Sequence, residues 1–592
     1  IENFIYKEKE KTIDIPDFKF QAFQINERRQ IEFKSTIGKG MLAGSYDIPK
    51  IRVYFENMVK RSLPALVESV EVDSTPGDFT FSFELYDLNP IMEIFHPSIE
   101  LDSNLFFSGL FDGPEEKIDL NLTTAGFKYS GIEVDSLQFK FKYQNSSILS
   151  NINIVTLALH KDIKYRDVSF EGFGTKDSIV VKVSNDNNSK PKFKSNISFT
   201  GALLSPTSVK LIFDSSYVVL ADSVWVLNSE NLVEWDSSRW AFKNFNLVSN
   251  LKKINLSGAI SKDTSDQLDI FISGLNLGNF AKIAEVKEAQ LKGNVTGVIS
   301  LAKLYYRPDI SSTIYVNDLY ANNEYVGSGP LYSSWNSDLE RFDVNFDLFR
   351  PADSAFIDTI RSLKFYGHYY PQVEDTSFQL KLLTDGFKIK AIEPIIKEYL
   401  DNISGELVGE IDLSGSFSNP IINGKIRLDS TSFRIVYLNT NYYFNNQYLI
   451  FEDDWFGYND LLFQDENGSE AHSIGTVNHS NWKNFDYDLY VKANNFLCLN
   501  TNAKQNELFY GKAFISGDVN IAGYEDHLNI EMDARTQNNS KLFVPLYAAD
   551  EVSSNHFIHF VNVETDSEED HLKKHNTDLS GIDMKFNFDI DP

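Results

Sequence analysis

Cysteine is almost missing from this chain of 592 residues. Cys498 stands alone, so no intrachain disulfide can form. That absence leaves the compartment open, because a protein avoiding stray thiols and a cytosolic one look alike here. Cys498 lies between Leu497 and Leu499 in an alternating pattern, and a buried, inert thiol is expected. Basic charge is also short: 55 Lys and Arg face 84 Asp and Glu, a formal net charge of -29. This excludes nucleic acid as a partner, since phosphates demand Lys and Arg. It argues against broad adsorption on anionic lipid head groups but not against uncharged acyl tails. Long hydrophobic runs are lacking. The most apolar stretch, YVVLADSVWVL from Tyr217, is interrupted by charge and too short to span a bilayer.

Chemistry is equally sparse. No G-x-S-x-G elbow, Walker loop, G-x-G-x-x-G or H-E-x-x-H occurs. GSGP at Gly327 is no phosphate loop, because Pro330 follows and no helical pattern begins. His556 and His559, and His571 and His575, have ligand-like spacings but sit in or directly after the polar stretch 549–574, which reads as a long loop. DENGSE at 465–470 resembles half a calcium loop but lacks the leading Asp-x-Asp and the closing Glu, so a polar turn is expected. No carboxylate pair stands out as a glycosidase pair. The expectation is a protein without catalytic residues, metal or cofactor.

What is present is alternation. Phe79, Phe81, Phe83 and Leu85 alternate with polar residues, as do Ile118, Leu120 and Leu122, and Leu137, Phe139, Phe141 and Tyr143. The same period of two runs through Ile411 and Leu413, Ile426 and Leu428, Val519 and Ile521, and Leu528, Ile530 and Met532. Forty-seven Phe and 28 Tyr suit strands. MKFNFDI from Met584 resumes the pattern near the end. Helical spacing is confined to short pieces. Val53, Met58 and Val59 share a face in a segment stopped by Pro64. A weak repeat of short helix, then Gly-punctuated strands, starts at Leu85, Gly274 and Asp385, with Phe280, Ile283 and Ala284, and then Ile392, Ile395, Ile396 and Tyr399, at helical spacing. These helices either cap an apolar groove at intervals or cover local apolar surface. Either way they are too few to cover a sheet.

The run SGSFSNPIINGKIRLDSTSFRIVYLNTNYYFNNQYLIF, with the later YGKAFISGDVNIAGYEDHLNIEMDARTQNNSKLFVPL, resembles the C-terminal domain of the TamB family, in its Bacteroidota type. The resemblance is firmest over 405–592 and continues upstream as a weaker AsmA-like pattern. It implies a bridge-like lipid transport protein: an elongated, folded-over antiparallel β-sheet (a β-taco) with an apolar groove. It further implies a periplasmic location spanning from inner to outer membrane, an inner-membrane anchor through an N-terminal helix not in this chain, and a barrel partner of the TamA/BamA-like family. The sequence is then expected to be a piece of a longer protein. About 35–45 strands stacked about 4.8 Å apart would form a sheet on the order of 150–200 Å long.

The organisation expected is 1–70, strands and a short helix; 71–270, β-taco repeats; 271–400, further repeats with short helices; and 401–592, a TamB-type C-terminal domain. The fold class expected is all-β. The function expected is passive conduction of glycerophospholipid. Phe81, Phe83, Leu120, Leu122, Phe139, Phe141, Ile411, Leu413, Ile426, Leu428, Val519, Ile521, Ile530 and Met532 are expected to line the groove with apolar surface. Two alternatives stay open: an assembly factor that helps insert outer-membrane proteins, and a β-solenoid that binds or cleaves polysaccharide. The second needs a core closed by its own side chains.

Overall fold

The computed structural model describes residues 3–8, 11–26, 28–66, 77–89, 91–92, 96, 98–102, 104–160, 163–185, 194–220, 223–278, 290–351, 359–506, 509–524, 527–543 and 582–590. The fold is all-β, and the helical pieces among the described residues are short. The chain divides into two compact units, 1–275 with 295–312, and 276–294 with 313–592.

In the first unit, the strands Asn3–Glu8 and Lys11–Pro16 form a separate hairpin. From Lys19–Ile25 onward successive strands pair antiparallel, through Asp78–Leu85, Leu105–Asp112, Lys117–Tyr129, Ile132–Gln144, Ser147–His160, Ile163–Thr175 and Ser178–Asn185, while the short strand Ile99–Leu101 pairs with Lys117–Tyr129. Because alternation is strict over most of each strand, register puts apolar residues opposite one another. One row runs Phe20, Phe33, Gly40, Phe83, Phe107, Leu122, Phe139, Ile152, Phe170, Val183 and Ile197 across eleven strands. The adjacent row includes Leu42, Phe81, Leu120 and Phe141.

The expected helix forms as α1, Ile51–Ser62. Its buried residues are Tyr54, Met58 and Ser62, each one turn from the next, while Val53 and Val59 are half-buried. Tyr54 and Met58 join Phe79, Phe111, Ile118 and Tyr143 in one cluster. The N–H of Leu63 bonds to Val59 O at 2.8 Å and Pro64 follows, ending the helix. The Asp177 carboxylate then accepts the Ala65 N–H at 2.7 Å, fixing the exit of the helix to a hairpin turn.

In the second unit the succession runs from Glu324–Asn336 to His527–Thr536, again antiparallel. Leu331, Phe346, Phe365, Leu382, Ile411, Gly424, Phe451, Phe456, Val477 and Tyr487 make one continuous row. The uniformly antiparallel expectation fails at the last strand. Ile582–Ile590 pairs parallel to His527–Thr536, Ile530 facing Met584. A parallel partner needs a long return connection, and 537–581 is long enough to supply it.

The helix expected over 392–399 shrinks to a 3-10 turn, Ile389–Ile392, and one α-turn, Glu393–Ile396. Ile395 and Tyr399 are exposed, so neither covers the sheet. In the Leu85 repeat, Asn89, Ile91 and Met92 are helical. Phe280, Ile283 and Ala284 lie outside the described residues, as do the 549–574 stretch and His556, His559, His571 and His575.

Candidate functional site

The candidate site is the apolar face of the sheet in each unit. Phe81, Phe83, Leu120, Leu122, Phe139 and Phe141 share that face in the first unit and are all half-buried. Phe81 and Phe107 lie 4.8 Å apart between ring centres, Phe83 and Phe107 6.5 Å, and Phe139 and Phe141 6.5 Å. Helix α1 covers the row beyond them, where Phe79, Phe111, Ile118 and Tyr143 are buried. It leaves the Phe83 row open, with Phe55 leaning on Phe141 at 5.9 Å as its border.

The second unit divides the remaining expected residues. Leu413, Ile521, Ile530 and Met532 are half-buried. Ile411, Ile426, Leu428 and Val519 are buried at 7%, 6%, 4% and 7% exposure. Val519 faces Met532, Ile521 faces Ile530, and Leu428 faces Leu407. Leu428 and Val519 belong to a core with Tyr442, Phe444, Phe463 and Phe496, against which Ile521, Ile530 and Met532 pack. This part of the face is therefore more closed by its own side chains than the Phe83 row. Burial pushes the Tyr442 phenol well above its usual range.

A device that strand alternation alone does not reveal interrupts the pairing within this face. Ser136, Asp167, Asn244, Asp318, Asn402, Ser430 and Asn495 all have positive φ, between 45° and 53°, inside strands. Each follows one polar residue, and all but Ser430, which precedes the buried Thr431, restore an apolar residue at the next position: Val134-Asp-Ser136-Leu, Tyr165-Arg-Asp167-Val, Val316-Asn-Asp318-Leu. Short polar side chains tolerate this left-handed conformation best after glycine. The extra residue breaks pairing, so Asp135 and Leu137 face Thr156 and Ile154 while Ser136 and Val155 are skipped. The same break passes through Ala125 and Asp167 on the flanking strands. Val134, Leu157 and Tyr165 on one side of this crease pack with Leu137, Ile154 and Phe170 on the other. The signal in the sequence is a two-residue polar insertion within an alternating strand.

The apolar face also carries a buried cation. Arg350, 3% exposed, follows Leu348 by two on the same strand. Its guanidinium donates to Gly386 O at 3.1 and 3.0 Å and to Pro351 O at 3.1 Å, and pairs with Glu406. Pairing and full hydrogen bonding are what make such burial tolerable.

The opposite face is mainly polar, with ion pairs such as Lys142–Asp119 at 3.7 Å and Lys364–Asp347 at 3.4 Å. It departs from strict alternation at Leu149, Phe173 and Val180, which face one another and are exposed.

The polar turn expected at 465–470 is found. Asp465 Oδ1 accepts the N–H groups of Asn467 and Ser469 at 2.8 and 2.9 Å. GSGP at Gly327 lies within a strand. Cys498 is half-buried, its Sγ 3.5 Å from Ala513 O, and burial pushes the thiol up to about 12. Among the described residues no cluster of His, Cys, Asp and Glu is arranged to hold a metal ion, and no helix is long and apolar enough to cross a membrane.

Residues 459–591 match the family model of the TamB C-terminal domain. This stretch of the chain is similar to the TamB C-terminal domain. The match starts at 459, later than the 405 at which the resemblance becomes firm in the sequence. The comparisons with curated proteins and with solved structures gave no match. A TamB domain points to the transport and assembly systems of the outer membrane, and TamB proteins are cell-envelope proteins.

Proposed function

We propose that this TamB-like chain conducts glycerophospholipid along its apolar face, between the inner and outer membranes, as a non-enzymatic bridge in the periplasm. The observation that carries the reading is the Phe83–Phe107–Leu122–Phe139–Ile152–Phe170 row: it is continuous across strands, apolar and half-exposed. A buried methylene contributes about 0.8 kcal/mol. A row of similar side chains offers an acyl tail many near-equal positions, so the tail is shielded yet free to slide. Phe81, Phe83, Leu120, Leu122, Phe139, Phe141, Leu413, Ile521, Ile530 and Met532 contact tails directly in this reading. Ile411, Ile426, Leu428 and Val519 support the face from its core. The partner at the outer membrane is a TamA/BamA-like barrel, and the inner membrane is reached through an N-terminal helix outside this chain.

The test is mass spectrometry of organic extracts from the purified chain, wild type against Leu122→Asp and Ile521→Asp. Several phospholipids per wild-type chain are expected, with retention falling in both variants. A wild type free of lipid, or folded variants that hold as much as wild type, would sink the reading.

One observation favours assembly of outer-membrane proteins as a second reading. Ile582–Ile590 pairs with His527–Thr536 alone among the described strands, and an edge with no partner among them is what strand addition requires.

A further inference from the structure

Two rims border the apolar face of the second unit, because its strands alternate in direction. The turns at 337–340, 370–377, 416–419, 453–454 and 481–482 all lie on one rim. This rim is acidic: Asp338, Glu340, Glu374, Asp375, Asp453 and Asp454 are exposed there, against Arg341 and Lys483. Arg341 is already engaged by Asp343 at 2.9 Å. The opposite rim carries Lys390, Lys397, Lys504 and Lys541 among its carboxylates.

One turn on the acidic rim is built unlike the others. Asn481 and Trp482 both have positive φ, 52° and 57°. For tryptophan this is a rare conformation, and three contacts hold it. The indole Nε1 donates to Pro420 O at 2.8 Å, the ring stacks on His479 at 4.3 Å, and it lies 5.8 Å from Phe456 of the apolar row. His479 is 7% exposed. Its Nδ1 accepts the Trp482 N–H at 3.4 Å, which leaves Nε2 as the protonated nitrogen, buried and without a hydrogen-bond partner among the described residues. The His479 N–H bonds to Asp454 O at 2.8 Å, which places the Asp453–Asp454 turn beside the same cluster.

Three chemistries therefore converge where the apolar face meets water. Aromatic faces and carboxylates attract an organic ammonium. A buried N–H donor without a partner is costly, and a phosphate oxygen is the acceptor it lacks. Apolar surface at Phe456 continues inward for a tail. We infer that Trp482, His479 and the Asp453–Asp454 turn form a head-group site for zwitterionic phospholipids that bear an amine, and that the acidic rim disfavours anionic ones. This rests on the proposed lipid-carrying function and adds selectivity to it.

The test incubates the purified chain with vesicles of phosphatidylethanolamine and phosphatidylglycerol in equal amounts, re-isolates it, and quantifies both bound lipids. Wild type is expected to enrich the amine lipid about fivefold over the vesicle ratio, the scale of one cation–π contact at a partly exposed site. Trp482→Ala should lose the enrichment. So should Asp453→Lys with Asp454→Lys, which changes only exposed turn positions and so guards against a folding defect. Total lipid bound should stay unchanged in both. Lipid retained by wild type at the vesicle ratio, or enrichment that survives in folded variants, overturns the head-group site and leaves the lipid-carrying function standing. No lipid bound by wild type overturns both.

Discussion

The buried carboxylate of Asp465 accepts the backbone N–H of Leu497 at 2.8 Å, tying a turn to a strand 32 residues later. Its other oxygen holds the turn itself, at Asn467 and Ser469. One side chain that reads in sequence as part of a polar turn is thus a cross-link within the core around Phe463 and Phe496. Asp465→Ala removes three accepted hydrogen bonds and strands a buried N–H. A loss of about 3 kcal/mol is expected in urea unfolding. Unchanged stability would show that Leu497 finds another acceptor.

The crease makes a paired prediction. Ser136, at φ 53°, sits where a β-branched residue is strained. Ser136→Val is expected to cost about 1–2 kcal/mol, the penalty for a left-handed L-residue. Ser136→Gly is expected to be neutral or slightly stabilising. Thermal unfolding of the two variants checks the sign, and equal melting would remove the crease as a conformational requirement.

Acid should weaken the protein in a defined direction. Arg434 hydrogen-bonds the Asp401 carboxylate and holds its pKa below the usual range, against the opposing effect of partial burial. Arg239 and Ser261 do the same for Asp266. A carboxylate with a depressed folded pKa contributes stability above its unfolded value of about 3.9 and loses it as pH falls through the folded value. The urea midpoint should therefore be flat above about pH 5 and fall below about pH 4. Asp401→Asn should make that acid limb shallower. An acid limb of the same steepness in the variant would assign the effect to other groups.

Cys498 should be inert in the folded state. With its thiol pushed up to about 12, the thiolate is scarce near neutral pH. Labelling with a maleimide at pH 8 is expected to be slow in buffer and to go to completion in urea. Rapid labelling of folded protein would contradict the burial around Ala513.

A charge on the open row should act locally. Leu122→Asp places a carboxylate between Phe107 and Phe139 on a half-exposed face. A modest stability loss and a large fall in retained lipid are expected. Leu428→Asp, in the 4%-exposed core, should instead prevent folding of the second unit. Circular dichroism with lipid extraction separates the two, and the reverse pattern would exchange their roles.

The sequence by itself determined the all-β fold, the strands and which residues face the apolar side. Alternation of period two survives any arrangement of the strands, because side chains on a strand must point to opposite faces. Phe83, Leu122 and Phe139 were legible for this reason. Tertiary structure alone decided register, and with it that Phe83 lies beside Phe107 rather than elsewhere. It also decided which of the expected residues are closed core: Ile426 and Leu413 share one pattern, but only the first is sealed by its neighbours. The polar exceptions were legible least. Ser136 and Asp167 look like faults in alternation until pairing lines them up on either side of Val155 in one crease. Arg350 looks like a surface charge until Gly386 O and Glu406 are brought to it. His479 and Trp482 become a candidate site only because a hairpin turn sets one ring on the other, a contact that depends on backbone conformation and that no residue pattern encodes.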